Sequence, residues 1–354
     1  MSPFQSIFLA WPGVLVALVI WCPITETQTV GAMDTHVRMT VITDKEEFLT
    51  DGVCTAFQPS PNSEILHLCS RLIIVIQEKK LEEARELAEK LNGLAPSNGL
   101  GPFWLGYIEF ICERKPVGLK FLKDSAEKSP DVPLAHLNLG LGYLKNHQAA
   151  LFEKEMRWVI ARHAGDPRPY YLLGRFYAEE LDRLDEGADY LLQALRRNPD
   201  DYRSWFHLGL THEMEGEIEK ARGEYKKAVA LVDVRQATYV YPLEGLARLC
   251  WQQQQSSDAL RYAQVAVLRD PKLASGHLIL GNMYLQTGEK EKAVIELKIA
   301  ADLDPADPAP HYVLAKAYRK LAMSSEAQHE EGIFMQLKRN KEETMNRVQE
   351  LRMP

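Results

Sequence analysis

The sequence predicts an all-α solenoid of antiparallel helix pairs. Three observations predict it: a 34-residue period, apolar faces of helical spacing within each period, and Gly or Pro at the breaks. Pro271 and Pro305 are 34 apart and close the same phrase, AVLRDP (266–271) and AADLDP (300–305). Ala259 and Ala293 precede them by 12 residues, Leu246 and Leu280 by 25. Pro96 and Pro130 repeat the interval, as do Leu105-Gly106 and Leu139-Gly140. Units begin near residues 65, 99, 133, 167, 202, 240, 274 and 308. Two insertions break the beat, one near Glu180–Glu186 and one of four residues near Gln236–Tyr239.

The chain begins with a nearly unbroken apolar stretch, Ile7–Cys22, interrupted by Pro12 and Gly13. It is shorter than the ~20 residues of a spanning helix and close to the core of a signal peptide. Val30-Gly31-Ala32 offers small residues for cleavage, but residues 1–6 hold no Lys or Arg. Residues 1–32 therefore read as a signal peptide or an N-terminal membrane anchor, and translation from Met33 or Met39 would remove either. Export is the expectation, to a periplasmic or extracellular site, with the anchor as the alternative; a start at Met33 or Met39 implies a cytoplasmic protein. Residues 33–64, with Pro59 and Pro61, read as a linker or N-terminal cap.

The solenoid spans residues 65–341, and its fifth unit shows the local physics. Trp205, Leu208 and His212 recur at three- and four-residue spacing, which places them on one side of a first helix. Gly216 follows, able to take positive φ without a Cβ penalty. Ala221, Tyr225, Ala228 and Val229 then make the apolar face of a second helix, and Gly209 is small where the two helices approach. Each closing Pro suits a linker, because it lacks the donor that a continuing helix needs. A hairpin this small cannot cover both its faces, so neighbours must stack on it. In the last unit helix-favouring sequence runs on from Ser324 to about Arg352, and residues 342–354 end a charged C-terminal cap.

These residues resemble the tetratricopeptide repeat family, whose pattern asks for a bulky residue at slot 4, Leu-Gly/Ala at 7 and 8, Tyr at 11, Ala at 20, an aromatic at 24, Ala at 27 and Pro at 32. The fifth unit fits at Trp205, Leu208, Gly209, Ala221, Tyr225 and Ala228; the seventh fits at Leu280, Gly281, Tyr284, Ala293, Ala300 and Pro305. Arg71, Phe152 and Gly187 depart from it in the first, third and fourth units. The resemblance implies a right-handed superhelix whose first helices line a concave groove, chiefly through slots 2, 5, 9 and 12. Those slots carry Phe103, Tyr107 and Phe110, then Leu141, then Arg168, Tyr171 and Arg175. Arg203, Phe206, Arg248, Trp251 and Lys316 complete the expected partner-binding set. The groove is expected to be apolar at its N-terminal end and arginine-studded in the middle, suited to a peptide or partner helix. Packing between neighbouring helices is the competing role for each aromatic in it. Members that clamp chaperone tails use Lys at slot 5 with Asn at slot 9; Asn282 has Leu278 before it, so that use is disfavoured.

The remaining classes are weighed on composition. Of 354 residues 46% are hydrophobic and 26% charged, the composition of a globular protein. A net charge of −7 without a basic block argues against nucleic acid. Membrane contact is expected only through residues 7–22, if they are retained. Cys54, Cys69 and Cys112 could pair in an oxidising compartment, whereas Cys250 sits in a core slot. No CxxC or metal-ligand spacing occurs; His207 and His212 are five apart and do not stack on one face. His136, His277 and His311 all fall at slot 4, a packing signature. The GxG at Gly140–Gly142 has no third glycine and no strand before it. No metal, cofactor or catalytic residue is expected. A catalytic domain would need room outside the repeats, and residues 33–64 are too few to bury one. The expected function is a non-enzymatic binding scaffold, with a membrane-anchored accessory subunit of an envelope complex as the alternative and a repeat-containing enzyme third.

Overall fold

The computed structural model describes residues 52–57, 62–235 and 238–352. Ile7–Cys22, Val30–Ala32, Met33 and Met39 lie outside the described residues, as do Pro59, Pro61 and part of the second insertion. Every described element lies in the compact unit Val41–Pro354, and all of them are helices.

A short helix α1 (Val53–Phe57) comes first, and eight antiparallel pairs follow. They are α2 (Ser63–Gln77) with α3 (Leu81–Leu94), α4 (Leu100–Ile111) with α5 (Lys115–Lys128), and α6 (Pro133–Lys145) with α7 (Ala149–Arg162). Next come α8 (Arg168–Arg175) with α9 (Leu184–Arg197), α10 (Tyr202–Met214) with α11 (Ile218–Arg235), and α12 (Tyr241–Gln252) with α13 (Ser256–Arg269). The last are α14 (Ala274–Thr287) with α15 (Lys290–Leu303), and α16 (Pro308–Lys320) with α17 (Ser324–Arg352). Each helix packs on the next one in the chain, and α10, α12, α14 and α16 also touch in succession. The first helices therefore line the inner side of this stretch. This is an α-solenoid, whose stability is a sum over neighbouring interfaces.

The hairpins turn through one left-handed residue each: Lys79, Glu113, His147, Asp182, Gly216, Gln254, Gly288 and Ala322, with φ between 54° and 87°. Glycine supplies only two of the eight. In the other six, packing of the paired helices holds a side-chain-bearing residue in a region disfavoured by about 1–2 kcal/mol. The spacing of these turns locates both insertions. One extra residue lies between Gly174 and Asp182, where α8 runs into a π-helical turn, Phe176–Glu180. An inserted residue would rotate the following face by about 100°, and an i→i+5 turn absorbs it. Four extra residues lengthen α11 to 18, against 14 in α9 and α13, close to a whole added turn that preserves the face.

The slot 4 residues have a common task. His136 and His277 each set Nε2 against the carbonyl of the preceding linker proline, Pro130 at 3.0 Å and Pro271 at 3.1 Å. Trp205 donates from Nε1 to Pro199 O at 2.8 Å. The three histidines also bind a glutamate 19 residues on, in their own second helix: His136–Glu155 at 2.7 Å, His277–Glu296 and His311–Glu330 at 2.6 Å. Each thus ties its own two helices together, and two of them also hold the preceding linker.

Cys54 on α1 and Cys69 on α2 form a disulfide, their Cα atoms 6.6 Å apart, while Cys112 and Cys250 are free. The sequence left this pairing open among three cysteines. The bond fastens α1 to the first hairpin, and Phe57 reaches the second, its ring 5.6 Å from that of Phe103 on α4.

Candidate partner-binding surface

The N-terminal part of the expected groove is closed. Phe103 (0% exposed), Phe110 (3%), Leu141 (7%) and Tyr107 (8%) belong to the continuous core that runs from Val53 to Leu208. Burial pushes the Tyr107 phenol above its ordinary range. Helix α4 is apolar around most of its circumference, LGPFWLGYIEFI, which is why its inner-side aromatics are covered as well as its repeat-facing ones. These four side chains are therefore packed, the competing role weighed for the aromatics among them. Glu109, buried on the same helix, is held by Arg85 and by Arg114 at 2.6 Å, which supplies the pairing a buried carboxylate requires.

The middle of the groove is already engaged with itself. Arg168 forks onto Asp166 at 2.9 and 2.6 Å. Tyr171 is buried against His207, and Arg175 lies near Glu179 at 3.5 Å and the Tyr171 hydroxyl at 3.4 Å. Glu179 meets Nδ1 of His207 at 2.6 Å. Desolvation raises the Glu179 pKa, but the His207 hydrogen bond and charge, with Arg175, outweigh it and hold the carboxyl down at about 2. Glu179 stands in the π-helical turn, so the insertion positions this cluster. Arg203 is half-buried, its guanidinium 5.9 Å from the Tyr202 ring. Phe206 packs among Tyr225, Tyr239 and Tyr241.

Arg248, also expected to meet a ligand, has both edges of its fork on Glu213 at 2.8 and 2.9 Å. Tyr225 donates to the same carboxylate at 2.7 Å. Burial raises the Tyr225 phenol, and the Glu213 hydrogen bond raises the Arg248 guanidinium. Glu244, 3.4 Å from Arg248, is itself raised by burial. This half-buried network joins α10, α11 and α12, and it gives Arg248 a structural duty.

An open cleft of about 480 Å³ lies on the first helices of the last three units. It is lined by Trp251 of α12, by Asn282, Leu285 and Gln286 of α14, and by Lys316, Arg319 and Lys320 of α16. Its size is that of an ordinary ligand site. Two expected residues, Trp251 and Lys316, meet here. Three cations and no carboxylate line it. The Lys316 ammonium sits 4.0 Å from the Tyr312 ring, and its hydrogen bond pulls that phenol below its usual range. Lys320 donates to Leu285 O at 3.4 Å, and Arg319 pairs with Glu331 of α17. Asn282 donates its amide to Leu278 O at 3.0 Å, which fixes the side chain at the cleft wall. Slots 2, 5, 9 and 12 do not include Gln286 and Lys320, which occupy slot 13 of their units. The signal for Lys320 was the run of three cations on one turn of α16; Gln286 had none.

Among the described residues no group of three or more His, Cys, Asp or Glu is placed to hold a metal ion. None of the described helices is long and apolar enough to cross a membrane.

Residues 177–234 and 245–308 match the family described as tetratricopeptide repeat. Together with the eight stacked hairpins, this match gives the chain the fold of tetratricopeptide repeat proteins. It is 21% identical over 228 residues to Protein CTR9 homolog of Arabidopsis thaliana, a match covering 64% of this chain and 18% of that protein. The chain thus spans less than a fifth of that relative's length. Among solved structures it resembles the APC/C hetero-tetramer Cut9-Hcn1, with TM-score 0.60 and 15% identity, covering 73% of this chain and 50% of that one. It also resembles pilF of Pseudomonas aeruginosa, with TM-score 0.52 and 18% identity, covering 67% and 99%. At these identities the likeness establishes the fold.

Proposed function

We propose that the protein is a non-enzymatic scaffold that holds a peptide or partner helix against the inner side of its first helices. The observation that carries this reading is the cation-lined cleft over α12, α14 and α16, open on a surface whose remaining expected contact residues are packed or paired. Trp251 and Arg319, gathered in one concavity, are of the residue types that dominate interface hot spots, and Asn282 and Gln286 add hydrogen-bonding amides beside them. A random peptide display library tests it. Peptides should be enriched on the full chain and lost when Lys316→Glu or Arg203→Glu alters the inner side, but kept with Lys226→Glu on α11. No enrichment, or loss only with the α11 variant, would sink the scaffold reading.

The scaffold is proposed to work outside the reducing cytosol. The apolar Ile7–Cys22 segment and the Cys54–Cys69 disulfide support this, since disulfides persist in oxidising compartments. Intact mass of the mature chain tests it: cleavage at Ala32 supports an exported protein, and retention of residues 1–32 supports the anchored accessory subunit. A chain starting at Met39 argues against both, and so does a chain starting at Met33 that is still made when the Met1 codon is removed, since that product is an internal start and not a cleavage product.

A further inference from the structure

We infer that the cleft between α12 and α16 selects an extended acidic segment, with carboxylates at alternate positions facing α16 and an intervening apolar side chain on Trp251. This rests on the scaffold reading above and names the partner chemistry of the same cleft.

Charge is the first argument. The chain carries a net −7, yet the cleft is lined by Lys316, Arg319 and Lys320 with no acidic residue among its walls. Among the described residues neither lysine has a carboxylate within ion-pair distance, so both ammonium groups are available to an anion without breaking a pair. Arg319 is shared with Glu331 at the rim. Three cations are too few for a nucleic acid, where specific binders neutralise several phosphates at once and depend on a wide basic face. A polyanion extending past the cleft would come within a Debye length, about 8–10 Å, of the net-negative remainder of the surface and be repelled, whereas a short segment confined to the cleft faces its cations.

Spacing is the second. Lys316 and Lys320 are four residues apart on one face of α16, about 6 Å along the axis. In an extended chain, residues i and i+2 point the same way and lie about 6.6 Å apart. Two carboxylates at i and i+2 therefore match the two lysines. The residue between them points to the opposite wall. That wall is α12, because α14 lies between α12 and α16 and touches both. Trp251 stands there half-buried, with Leu285 beside it, an apolar surface of the right kind for the i+1 side chain. Asn282 and Gln286 on the floor bring side-chain amides to the cleft for the segment's backbone.

Fluorescence anisotropy with a labelled, C-terminally amidated Asp-Leu-Asp-Leu-Asp-Leu peptide tests the inference on the full chain. The acidic peptide should bind, weaken with added salt, and exceed its Asn-for-Asp counterpart by at least roughly tenfold, one charge-assisted contact's worth. Lys316→Glu with Lys320→Glu, both at exposed positions, should weaken it by roughly tenfold or more, and Lys226→Glu should leave it unchanged. Trp251→Ala should weaken both peptides, with Trp251→Phe restoring most of the loss. If the free-carboxyl form binds far better than the amidated one, the recognised group is a chain terminus, which still supports carboxylate selection. Equal affinity for the acidic and Asn peptides, indifference to the double charge reversal, or stronger competition by inorganic phosphate than by acetate would overturn the inference. The scaffold reading fails separately. Library peptides without acidic residues, bound on the inner side despite Lys316→Glu with Lys320→Glu, would refute the acidic cleft and leave the scaffold standing.

Discussion

Close approach within each hairpin depends on single absent methyl groups. A Cβ at Gly281 would come within 2.5 Å of Leu297 Cγ, and one at Gly209 within 2.8 Å of the Tyr225 ring. Gly223, also helical, has nothing within 4 Å. Alanine has the better helix propensity at all three sites, by about 1 kcal/mol, so only the packing term can reverse the sign. Gly223→Ala should stabilise the protein by about 0.5–1 kcal/mol, while Gly281→Ala should destabilise it by about 1–2 kcal/mol. Urea midpoints of the two variants check this, and a gain for both would mean the hairpins are looser than they look. Charge at Glu179 is the second residue-scale case. Its folded carboxyl sits at about 2 against an ordinary 4.5, so the folded state binds fewer protons than the unfolded chain between those values. The stability it contributes is complete above the ordinary value and drains away as pH falls from 4.5 toward 2. Wild type and Glu179→Gln should differ most at neutral pH and converge near the lower limit. A pH-independent difference would show that the carboxylate charge is not involved.

Among the elements, the irregular ones show how a repeat tolerates insertion. One extra residue became the π-helical turn Phe176–Glu180, and four became an added turn of α11. Both keep the apolar face of the following helix in register, so Gly187 still meets Ala178 and Gly174 across the hairpin. Among the described residues only the short helix α1 precedes the first hairpin. Helix α1 covers it with Val53 and Phe57, but five residues bury too little to hold themselves. The Cys54–Cys69 disulfide ties that cap down across 15 residues of sequence. Closing a loop of that length contributes about 3 kcal/mol through the unfolded chain. Cys54→Ser with Cys69→Ser should therefore free α1 and lower the stability of the α2–α3 hairpin by up to about 3 kcal/mol. Reductant should have the same effect on the wild type and none on the variant. Hydrogen exchange across α1–α3 reads both, and unchanged protection would mean the cap holds by packing alone.

At the scale of the whole molecule, contacts run from each helix to the next, and no long-range closure binds the first described unit to the last. Damage should therefore spread by neighbours. Leu208 is wholly buried in α10, and Leu208→Ala should cost about 2–5 kcal/mol. Loss of exchange protection should centre on α8–α12 and leave α2–α5 and α14–α16 close to wild type. A single cooperative loss along the entire array would instead require coupling strong enough to make the repeats one unit.

The architecture was legible because it is written locally. Helical spacing at Trp205, Leu208 and His212, left-handed glycines at 216 and 288, and prolines 34 residues apart need no tertiary knowledge to interpret. The shared slot of His136, His277 and His311 was equally plain, and both slips of the beat were visible, although the first was read near Glu180–Glu186 and its extra residue lies between Gly174 and Asp182. By itself the sequence determined an all-α array of paired helices, since each hairpin's pattern lies within one period and its uncovered faces admit only stacking. Which inner-side residues remain open was decided by tertiary structure. Phe103 and Phe110 lie within a continuous core, Glu213 of the preceding hairpin occupies Arg248, and the lysines of α16 stand clear beside Trp251. The reason is distance along the chain. Exposure and charge pairing at a slot depend on side chains a period or more away, and a pattern that repeats every 34 residues carries no record of which neighbour reaches across.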